Sequence, residues 1–418
     1  MSLRKTKTKT KTKTKTKTKT KTKTKTKNKY YYLVKKKYID DDTVKQIMKK
    51  RKIWEEYNLD NPQTDIIDFL LLKPSLSSKK EYWSLKSKIN GQLDLSGTKI
   101  KQMDKYNIIN NLRKLNDPKL NKMLQEQHKI NLLLIYKKKD KIEKYKNLFN
   151  NNKVWIFKHI YSGQGDNIIV LDSYEKFKTF VFKNINQHKN KWKNFNKSNY
   201  EKKQGLKKYY VIEWVLQEYI TNPMLYEDKK FHLRGYFVYN YDTFKNKKEA
   251  YFLNNQYVWT AKLPYKQGDY LNKDIHDSHN KSTPYEINYK PNITNLLNKK
   301  QVTSIENQIK YLYKSIFKIL DLKCYKNDNT CFYIFGSDIM LTDDYQIKFI
   351  ELNQNPLVKK SKEDIINYTI LFKEVLEKII DKRYPPLLNM KSKKSKKSKK
   401  SKKSKKSKKL EQPQLIKL

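Results

Sequence analysis

Acidic residues and glycine are scarce in this chain of 418 residues. Asp and Glu together number 42, against 94 Lys and Arg, so the formal net charge is +52. Such an excess of basic residues favours association with anions, which include nucleic acid, acidic membranes and acidic protein tails, but does not select among them. Only 8 glycines accompany many Lys, Asn, Ile and Tyr residues. This usage is typical of an AT-rich genome, so part of the charge reflects coding bias.

Cysteine and long apolar runs are also nearly absent. Cys324 and Cys331 are too few for a disulfide scaffold and lack the spacing of zinc ligands, so we expect buried free thiols in a reducing compartment. No apolar run approaches the roughly 18 residues that mark a membrane span, and the first residues do not resemble a signal peptide. The sequence predicts a soluble, intracellular protein without a membrane partner, cytoplasmic in the first place, with the nucleus left open by its basic ends.

Both ends of the chain are basic repeats. Lysine and threonine alternate from Lys5 to Lys27, and a Lys-Ser-Lys pattern repeats from Lys391 to Lys409. Residues 1–29 hold 14 basic residues and residues 391–409 hold 13, with no acid in either, so together they supply 27 of the net charge of +52. Like charges repel one another and bury nothing, so we predict disorder at both ends.

The repeats and the motifs between them divide the chain into four segments. These are a disordered Lys-Thr tail at 1–29, an N-terminal lobe at 30–152, a core at 153–386 and a disordered Lys-Ser tail at 387–418. The tails would offer nucleic acid only a non-specific electrostatic contact, because no zinc finger, helix-turn-helix or RNP signature accompanies them.

The stretch from Asp338 to Asn353, DIMLTDDYQIKFIELN, is the feature around which the core is best understood. Two apolar segments flank the turn signal TDDY, which predicts a β-hairpin. Glu351 and Asn353 then share one strand face, and Asp338 on the partner strand can meet them across the ladder. Such a set of oxygen ligands suits Mg²⁺ that carries nucleotide phosphates. The alternative is a solvated hairpin face that carries acids by chance.

A glycine-containing loop lies earlier in the core. The segment VWIFKHIYSGQGDNIIVL, from Val154 to Leu171, predicts a strand, a tight loop and a second strand. Gly163 and Gly165 let backbone N–H groups approach an anion without a Cβ in the way, and Lys158 supplies a positive charge at the end of the first strand. An ordinary hairpin turn would explain the same glycines.

A row of basic residues marks the segment KFHLRGYFVYNY. Lys230, His232 and Arg234 alternate with apolar residues, so they share one face of a predicted strand. Like charges on neighbouring sites of one face repel one another, which favours an anion as their partner. A solvated edge strand is the alternative.

Helical and strand patterns fill the remaining chain. The clearest helix runs from Gln301 to Leu322, and a second begins with Ser361 as its N-cap and ends at Arg383-Tyr384-Pro385-Pro386. We also predict peripheral helices at Thr43–Tyr57 and Asp65–Leu72, helices at Lys99–Leu112 and Lys139–Asn150, a buried strand at Ile130–Tyr136, and strands that begin at Ala250 and Gln256. His276 and His279 are expected in surface or supporting roles and not at a zinc site.

Six blocks in one order carry a family resemblance. WIFK, GQG, QEYITNPML, KFHLR, FGSDIML and FIELNQNP resemble the pattern of the tubulin–tyrosine ligase family, over roughly Ile100 to Ile380. The resemblance implies an ATP-grasp fold of the α+β class, in which ATP is held between two lobes built on antiparallel sheets. It also implies ATP and Mg²⁺ as cofactors.

The resemblance implies a role for each matched position. Lys158 would contact the nucleotide phosphates and the Gly163–Gly165 loop would close over them, while Gln217 and the backbone of Glu218 and Ile220 would bind adenine. Lys230 and His232 would contribute to the nucleotide site, Lys230 and Arg234 would face the reaction centre, and Asp338, Glu351 and Asn353 would hold Mg²⁺. Arg234, Lys230 and Glu351 are the candidate catalytic residues, and Lys105 matches a lysine upstream in the family.

Two positions depart from the family pattern. His232 stands where the family has Asp, and Trp259 stands where the family has an arginine before a Thr-Ala pair. A third motif, HLTN, is reduced to IHDSHN. These departures concern the acceptor site more than ATP binding.

The resemblance implies an ATP-dependent ligase that joins a free amino acid to a protein through an acyl-phosphate intermediate. A basic protein suits an acidic tail as substrate, such as that of tubulin, to which tyrosine or glutamate would be added. Two alternatives stay open: an ATP-binding pseudoenzyme, and a basic protein associated with nucleic acid.

Overall fold

A computed structural model describes residues 29–34, 39–62, 64, 66–71, 89–94, 103–160, 168–193, 212–254, 256–276, 297–324, 330–354, 356, 362–384 and 413–418. The strands are β1 Tyr30–Val34, β2 Trp54–Glu56, β3 Ile67–Leu71, β4 Ile89–Asp94, β5 Gln127–Asn131, β6 Trp155–His159, β7 Ile168–Leu171, β8 Glu213–Glu218, β9 Leu225–Tyr226, β10 Lys229–Asp242, β11 Lys247–Leu253, β12 Tyr257–Thr260, β13 Thr330–Leu341, β14 Ile347–Asn353 and β15 Leu415–Lys417.

Helices connect and cover these strands. The α-helices are α1 Ile39–Lys49, α2 Asn107–Arg113, α3 Pro118–Met123, α4 Leu132–Lys137, α5 Tyr174–Lys193, α6 Lys273–His276, α7 Lys299–Ile319 and α8 Lys362–Val375. A 3₁₀ segment, Lys139–Asn152, follows α4, and α8 continues through a π-turn at Leu376–Ile380 into a last turn at Asp381–Arg383. None of the helices in these ranges is long and apolar enough to cross a membrane.

The described strands form two sheets. Eleven lie in a large sheet with the main order β15-β11-β10-β13-β4-β3-β1-β2, where β9 and β12 also pair with β10 and β14 pairs with β13. Four lie in a small antiparallel sheet with the order β5-β8-β6-β7. The two predicted sheet-based lobes are therefore present, and the class is α+β.

The N-terminal strands add a parallel part to the large sheet. β1 pairs in parallel with β2 and β3, and β4 pairs in parallel with β3 and β13. Parallel neighbours need a crossover connection, and α1 provides one between β1 and β2. The predicted helix at Asp65–Leu72 is wrong, because Ile67–Leu71 is a fully buried strand. A short apolar run of this kind has the same periodicity in a buried strand as in a buried helix.

Two cores lie on opposite faces of the large sheet. α7 packs on one face through an apolar stripe that includes Ile305, Ile309 and Leu312, and an Asn298–Gln301 capping box fixes its first turn. α8 and α1 pack on the other face. Because side chains alternate along a strand, β10 sends Phe237 into the first core and Val238 into the second.

The small sheet has a core of its own, built with α4, α5 and the 3₁₀ segment. Its first strand is shorter than predicted, because Ile130–Tyr136 is not one strand. β5 ends at Asn131, whose side chain accepts a hydrogen bond from the Leu134 amide and so caps α4. An N-cap of this kind stabilises a helix by about 0.5–2 kcal/mol.

Two expectations about the chain's chemistry and its end are wrong. Cys324 and Cys331 form a disulfide and are not free thiols. The last residues, 413–418, are not a structureless tail, because β15 pairs with β11 and Leu415 is buried. Burial of Leu415 against the core of α8 fixes this strand although a lysine repeat precedes it.

Candidate active site at the junction of the two sheets

The predicted carboxylate hairpin is present as β13 and β14. Asp338 lies directly opposite Glu351 in the antiparallel ladder, and a register shift follows Asp338. Asn353 lies opposite Gly336, and its Nδ2 donates a hydrogen bond to Oδ2 of Asp338 over 2.9 Å. The hairpin therefore brings all three oxygen-bearing side chains together, as its sequence predicts.

The basic row lies on β10, which is an interior strand and not an edge. β13 pairs with one side of β10, and β11 and β12 pair with the other. Lys230, His232 and Arg234 are all buried, with 8 %, 8 % and 4 % of their surface exposed. A solvated edge strand is therefore the wrong interpretation of this row.

Arg234 and Asp338 form a two-point ion pair across the β10–β13 ladder. Nε of Arg234 donates to Oδ1 of Asp338 over 2.6 Å, and Nη2 donates to Oδ2 over 3.2 Å. Nε2 of His232 lies 3.7 Å from the same Oδ1. Burial opposes the charge on Arg234, but the Asp338 carboxylate outweighs burial and raises the pKa of Arg234.

Trp259 lies beneath this ion pair on β12. Cζ of Arg234 is 4.2 Å from the centre of the Trp259 ring, and the His232 ring is 5.4 Å away. Trp259 is 4 % exposed. A guanidinium over an indole face is attracted to it by about 0.5–2 kcal/mol, and the attraction is strongest where water is excluded. Trp259, which departs from the family pattern, thus supports Arg234, which matches that pattern.

Gly336 provides the space that Arg234 occupies. A Cβ on Gly336 would lie 3.4 Å from both Cδ and Nη1 of Arg234 and 2.9 Å from Cβ of Pro356. The packing of Pro356 and Arg234 therefore leaves little space for a side chain at this position of β13.

Lys158 approaches from the small sheet. It lies near the end of β6 with 3 % of its surface exposed. Burial lowers its pKa to about 8; Glu351 and Asp338 act in the opposite direction, and Lys105 adds to the lowering. Nζ of Lys105 is 3.4 Å from Oε2 of Glu351. The two lysines and the carboxylates of the hairpin therefore share one cluster of charges where the two sheets meet.

The predicted adenine-binding positions lie on and after β8. Nε2 of Gln217 donates to Oε1 of Gln125 over 2.9 Å, so the Gln217 amide is already oriented inside the protein. The backbone amide of Glu218 donates to the carbonyl of Glu126 over 2.8 Å. The Glu218 backbone can therefore bind a ligand only through its carbonyl oxygen. Ile220 follows the end of the strand.

Sequence reasoning missed one group at the edge of this site. Nζ of Lys230 donates to the hydroxyl of Tyr219 over 2.8 Å, and that hydroxyl lies 2.7 Å from Nδ1 of His276. His276 was predicted in a surface or supporting role, and it supports Lys230 through Tyr219. Tyr219 belongs to the QEYI block, but periodicity gives no signal for a contact with a histidine 57 residues away. Gly163, Gly165 and His279 lie outside the described residues.

The hairpin residues fit a magnesium ion by the chemistry of their donors. No group of three or more His, Cys, Asp or Glu side chains that could hold a metal occurs within the described ranges. Mg²⁺, however, is usually bound by one or two carboxylates together with substrate phosphates and water, and not by a cage of protein ligands. Asp338 and Glu351 supply two carboxylates, and Asn353 adds an amide oxygen.

Comparisons with known proteins agree with this architecture. A family model described as the tubulin-tyrosine ligase family matches residues 96–393. Among solved structures, the chain is similar to one reported as the "crystal structure of the C-terminal domain from K. lactis Pby1, an ATP-grasp enzyme interacting with the mRNA decapping enzyme Dcp2". The TM-score is 0.54 at 18% sequence identity, with 87% of this chain and 97% of that chain covered. No curated protein sequence matches the chain.

The two comparisons establish different things. At 18% identity the structural match supports the fold alone, which is the ATP-grasp fold that the sequence predicts. The family match covers more than half of the chain and includes every block on which the resemblance was based. This protein belongs to the tubulin-tyrosine ligase family.

Proposed function

We propose that the protein is an ATP-dependent ligase that joins a free amino acid to the acidic tail of a protein through an amide bond. The observation that carries this proposal is the junction of the two sheets, where buried Lys158 of the small sheet is within the electrostatic influence of Glu351 and Asp338 of the large sheet and Lys105 lies 3.4 Å from Glu351. Lysine can bind phosphates, and paired carboxylates can bind a divalent cation. The junction therefore has the groups that bind a nucleoside triphosphate with its metal ion.

The distribution of charge suits two anionic reactants. A carboxylate substrate and the γ-phosphate of ATP repel each other, and this repulsion must be offset before they meet. Lys158, Lys105 and Arg234 bring positive charge to the junction, where burial strengthens each interaction relative to water. Arg234 is held in place by Asp338 before any substrate arrives, so little reorganisation is needed.

Each predicted residue has a part in this proposal. Asp338, Glu351 and Asn353 would hold Mg²⁺, which when bound neutralises phosphate charge during phosphoryl transfer. Lys158, with the Gly163–Gly165 loop, would bind the phosphates, and Gln217 with the backbone of Glu218 and Ile220 would bind adenine. Lys230 and His232 would complete the nucleotide site, and Arg234 would orient the substrate carboxylate.

The proposed reaction has two steps. A carboxylate oxygen of the acceptor attacks the γ-phosphorus of ATP, the bond to the β-phosphate oxygen breaks, and ADP leaves an acyl phosphate behind. The amine of the amino acid then attacks the acyl carbon, inorganic phosphate leaves, and the amine loses a proton as the amide forms. The protein contributes by positioning and by stabilising charge, and needs no covalent nucleophile.

The charge of the protein suits an acidic substrate, and the family membership favours a protein tail among the possible anions. A net charge of +52 attracts an acidic peptide at long range, and such attraction weakens as salt is added. Tubulin tails are the acidic substrates that the family membership suggests, with tyrosine or glutamate as the amino acid added. The amide would be made at a chain end or on a glutamate side chain.

Mass spectrometry tests the proposal. The full chain is incubated with ATP, Mg²⁺, tubulin and each amino acid in turn, and the intact mass of the tubulin chains is measured. We expect one amino acid to add its residue mass in an ATP-dependent manner. ATP binding without any mass gain, on tubulin or on synthetic acidic peptides, would identify the protein as an ATP-binding pseudoenzyme.

A second experiment separates the ligase from a basic protein that associates with nucleic acid. Residues 1–29 are deleted and the lysines of 391–409 are changed to glutamine, which keeps β15 attached to its neighbours. A ligase should keep its maximal rate and lose association rate at low salt. Loss of all ligation in a folded variant, together with loss of RNA binding, would favour the nucleic-acid function.

A further inference from the structure

A chain of hydrogen bonds runs from Lys230 to the edge of the site. Nζ of Lys230 donates to the Tyr219 hydroxyl over 2.8 Å, and this hydroxyl lies 2.7 Å from Nδ1 of His276. Nε2 of His276 lies 2.7 Å from the backbone carbonyl of Asp269. The chain thus joins the end of β8, the start of β10 and the loop that ends in α6.

The chemistry of the groups fixes the direction of every bond. A backbone carbonyl can only accept, so Nε2 of His276 carries a proton and donates it to Asp269. In the neutral ring Nδ1 then accepts, and the Tyr219 hydroxyl is its donor. The same hydroxyl accepts from the ammonium of Lys230, which has only donors. All four groups are therefore satisfied in one arrangement and in one histidine tautomer.

One aromatic ring contacts the charged end of this hydrogen-bond chain, and two others pack behind it. Nζ of Lys230 lies 3.9 Å from the centre of the Tyr219 ring, in addition to its bond to the hydroxyl. Tyr270 packs against both Tyr219 and His276, at 5.8 Å and 6.1 Å between ring centres, and Tyr265 packs 6.1 Å from His276. The ammonium of Lys230 is therefore restrained by cation–π attraction to the Tyr219 ring as well as by the hydrogen bond to its hydroxyl.

We propose that Tyr219 and His276 are positioning residues for Lys230. They hold its ammonium in the cleft, and the hydrogen bond to Tyr219 helps the buried ammonium to keep the charge that binds nucleotide. This inference rests on the proposed function only in taking ATP as the anion that Lys230 meets.

The protonation states of Lys230 and His276 limit the pH range over which this hydrogen-bond chain is intact. Burial lowers the pKa of Lys230 to about 7, so its charge is present below that value and is lost as pH rises through it. Burial is also the first cause that lowers the pKa of His276, to which the charge on Lys230 contributes, while the Asp269 carbonyl opposes the shift. A protonated His276 would present a donor to the Tyr219 hydroxyl and reverse the direction of that hydrogen bond.

The titratable groups that face Lys230 and its partners come from three elements. They are Tyr219 from the end of β8, His232 two residues along β10, and Tyr265, Asp269, Tyr270 and His276 from the segment after β12. Burial raises the pKa of Tyr219, with contributions from Tyr265 and Tyr270. Tyr219 therefore stays neutral wherever the protein is folded, and the working range belongs to Lys230 and His276.

Variants of the full chain separate positioning from mere structural support. Tyr219→Phe removes the hydroxyl that Lys230 and His276 share, and His276→Leu removes the acceptor behind it. His276→Asn restores an acceptor, because its Oδ1 can take the place of Nδ1. Tyr270→Phe is the matched control, since it removes a hydroxyl of the same cluster that is not part of the chain. Thermal unfolding checks that each variant is folded.

The first measurement is ATP affinity between pH 6 and 9, by titration calorimetry. We expect Tyr219→Phe and His276→Leu to weaken binding about tenfold at pH 7, which is the scale of a hydrogen bond to a charged group. The pH at which affinity falls should also move lower, because the ammonium loses its acceptor. His276→Asn and Tyr270→Phe should follow the wild type. A midpoint unchanged in Tyr219→Phe, or His276→Asn behaving like His276→Leu, would overturn the inference.

The second measurement needs no nucleotide. The rate at which fluorodinitrobenzene labels Lys230 is followed against pH by peptide mass spectrometry, in wild type and in the same variants. We expect reactivity to titrate near pH 7 in the wild type and at lower pH in Tyr219→Phe and His276→Leu. If ATP does not bind but this pattern holds, the proposed function fails and the positioning chain stands. An identical titration in all five proteins would show that Tyr219 and His276 do not position Lys230.

Discussion

Arg234 and Asp338 face each other on β10 and β13 and are joined by two hydrogen bonds, of 2.6 Å and 3.2 Å. Asp338 also accepts a hydrogen bond from Asn353, so the carboxylate that anchors the arginine is itself one of the proposed magnesium ligands. The arginine and the ion would therefore depend on the same side chain. Removing one partner of such a buried pair costs about 3–5 kcal/mol, because the other charge is left without compensation.

Gly336→Ala tests the space that Arg234 requires. The new Cβ would lie 2.9 Å from Cβ of Pro356, so Pro356 must shift, and it would lie 3.4 Å from two atoms of Arg234 in the same place. We expect a loss of stability of about 1–3 kcal/mol, typical of overpacking, and a larger fall in kcat than in ATP affinity. Chemical denaturation and steady-state kinetics measure the two effects. An unchanged kcat would show that the position of Arg234 does not control turnover.

Glu351→Gln tests the proposed metal ligand. The change removes a charge but keeps the size of a side chain that is partly exposed, so we expect little loss of stability and no turnover. Asp344→Asn, an exposed carboxylate in the turn of the same hairpin, is the control and should keep its activity. Mg²⁺-dependent ATP consumption is the measurement. Equal consumption in Glu351→Gln and wild type would remove Glu351 from the metal site.

Trp259→Ala and Trp259→Phe test the support beneath Arg234. Truncation of a buried tryptophan to alanine costs about 3–5 kcal/mol, and it also removes the face on which the guanidinium lies. Phenylalanine keeps a smaller aromatic face and should retain more of both stability and ligation. Nucleotide affinity, ligation rate and unfolding are compared for the three proteins. Normal ligation in a folded Trp259→Ala would mean that Arg234 needs no aromatic support.

The C-terminal strand supplies a pH-dependent prediction. Burial raises the pKa of Glu249, but hydrogen bonds from Lys417, Lys247 and Tyr251 outweigh it and lower the value to about 2. Since the folded pKa lies below the usual one, this group stabilises the folded state above about pH 4.5, and that contribution is lost as pH falls towards 2. The attachment of β15 should weaken over this interval.

Hydrogen exchange of residues 413–418 measures that attachment. Glu249→Gln should expose these amides at neutral pH, because the ion pair with Lys417 is gone. Lys248→Gln, which alters a nearby lysine paired with Asp321, is the control and should leave β15 protected. Equal protection in wild type and Glu249→Gln would show that the backbone pairing with β11 and the burial of Leu415 hold the strand without this ion pair.

The sequence predicted those parts of the site in which one element carries several groups. The alternation of Lys230, His232 and Arg234 and the hairpin that bears Glu351 are local patterns with a period of two, and both are confirmed. The match of Arg234 with Asp338 depends on the register between two strands 104 residues apart, which no local pattern contains. Trp259 departs from the family pattern, and its contact with the guanidinium of Arg234, 4.2 Å from the ring centre, was not predicted from the sequence.

Other features needed the assembled structure. Ile67–Leu71 is buried on both faces, and four apolar residues interrupted by Asp68 do not distinguish a strand from a helix. β15 follows a lysine repeat, so composition alone predicts disorder up to the last residue. Cys324 and Cys331, seven residues apart, form a disulfide, and their small number led to the wrong expectation of free thiols.

The most direct test of ATP-driven amide formation follows an oxygen atom. An acidic tail peptide carrying ¹⁸O in its carboxylates is ligated by the full chain with ATP, Mg²⁺ and the amino acid identified by mass. If the carboxylate is activated as an acyl phosphate, one ¹⁸O passes into each inorganic phosphate released, and phosphate and amide form in equal amounts. Phosphate without ¹⁸O, or amide without phosphate, would contradict the account.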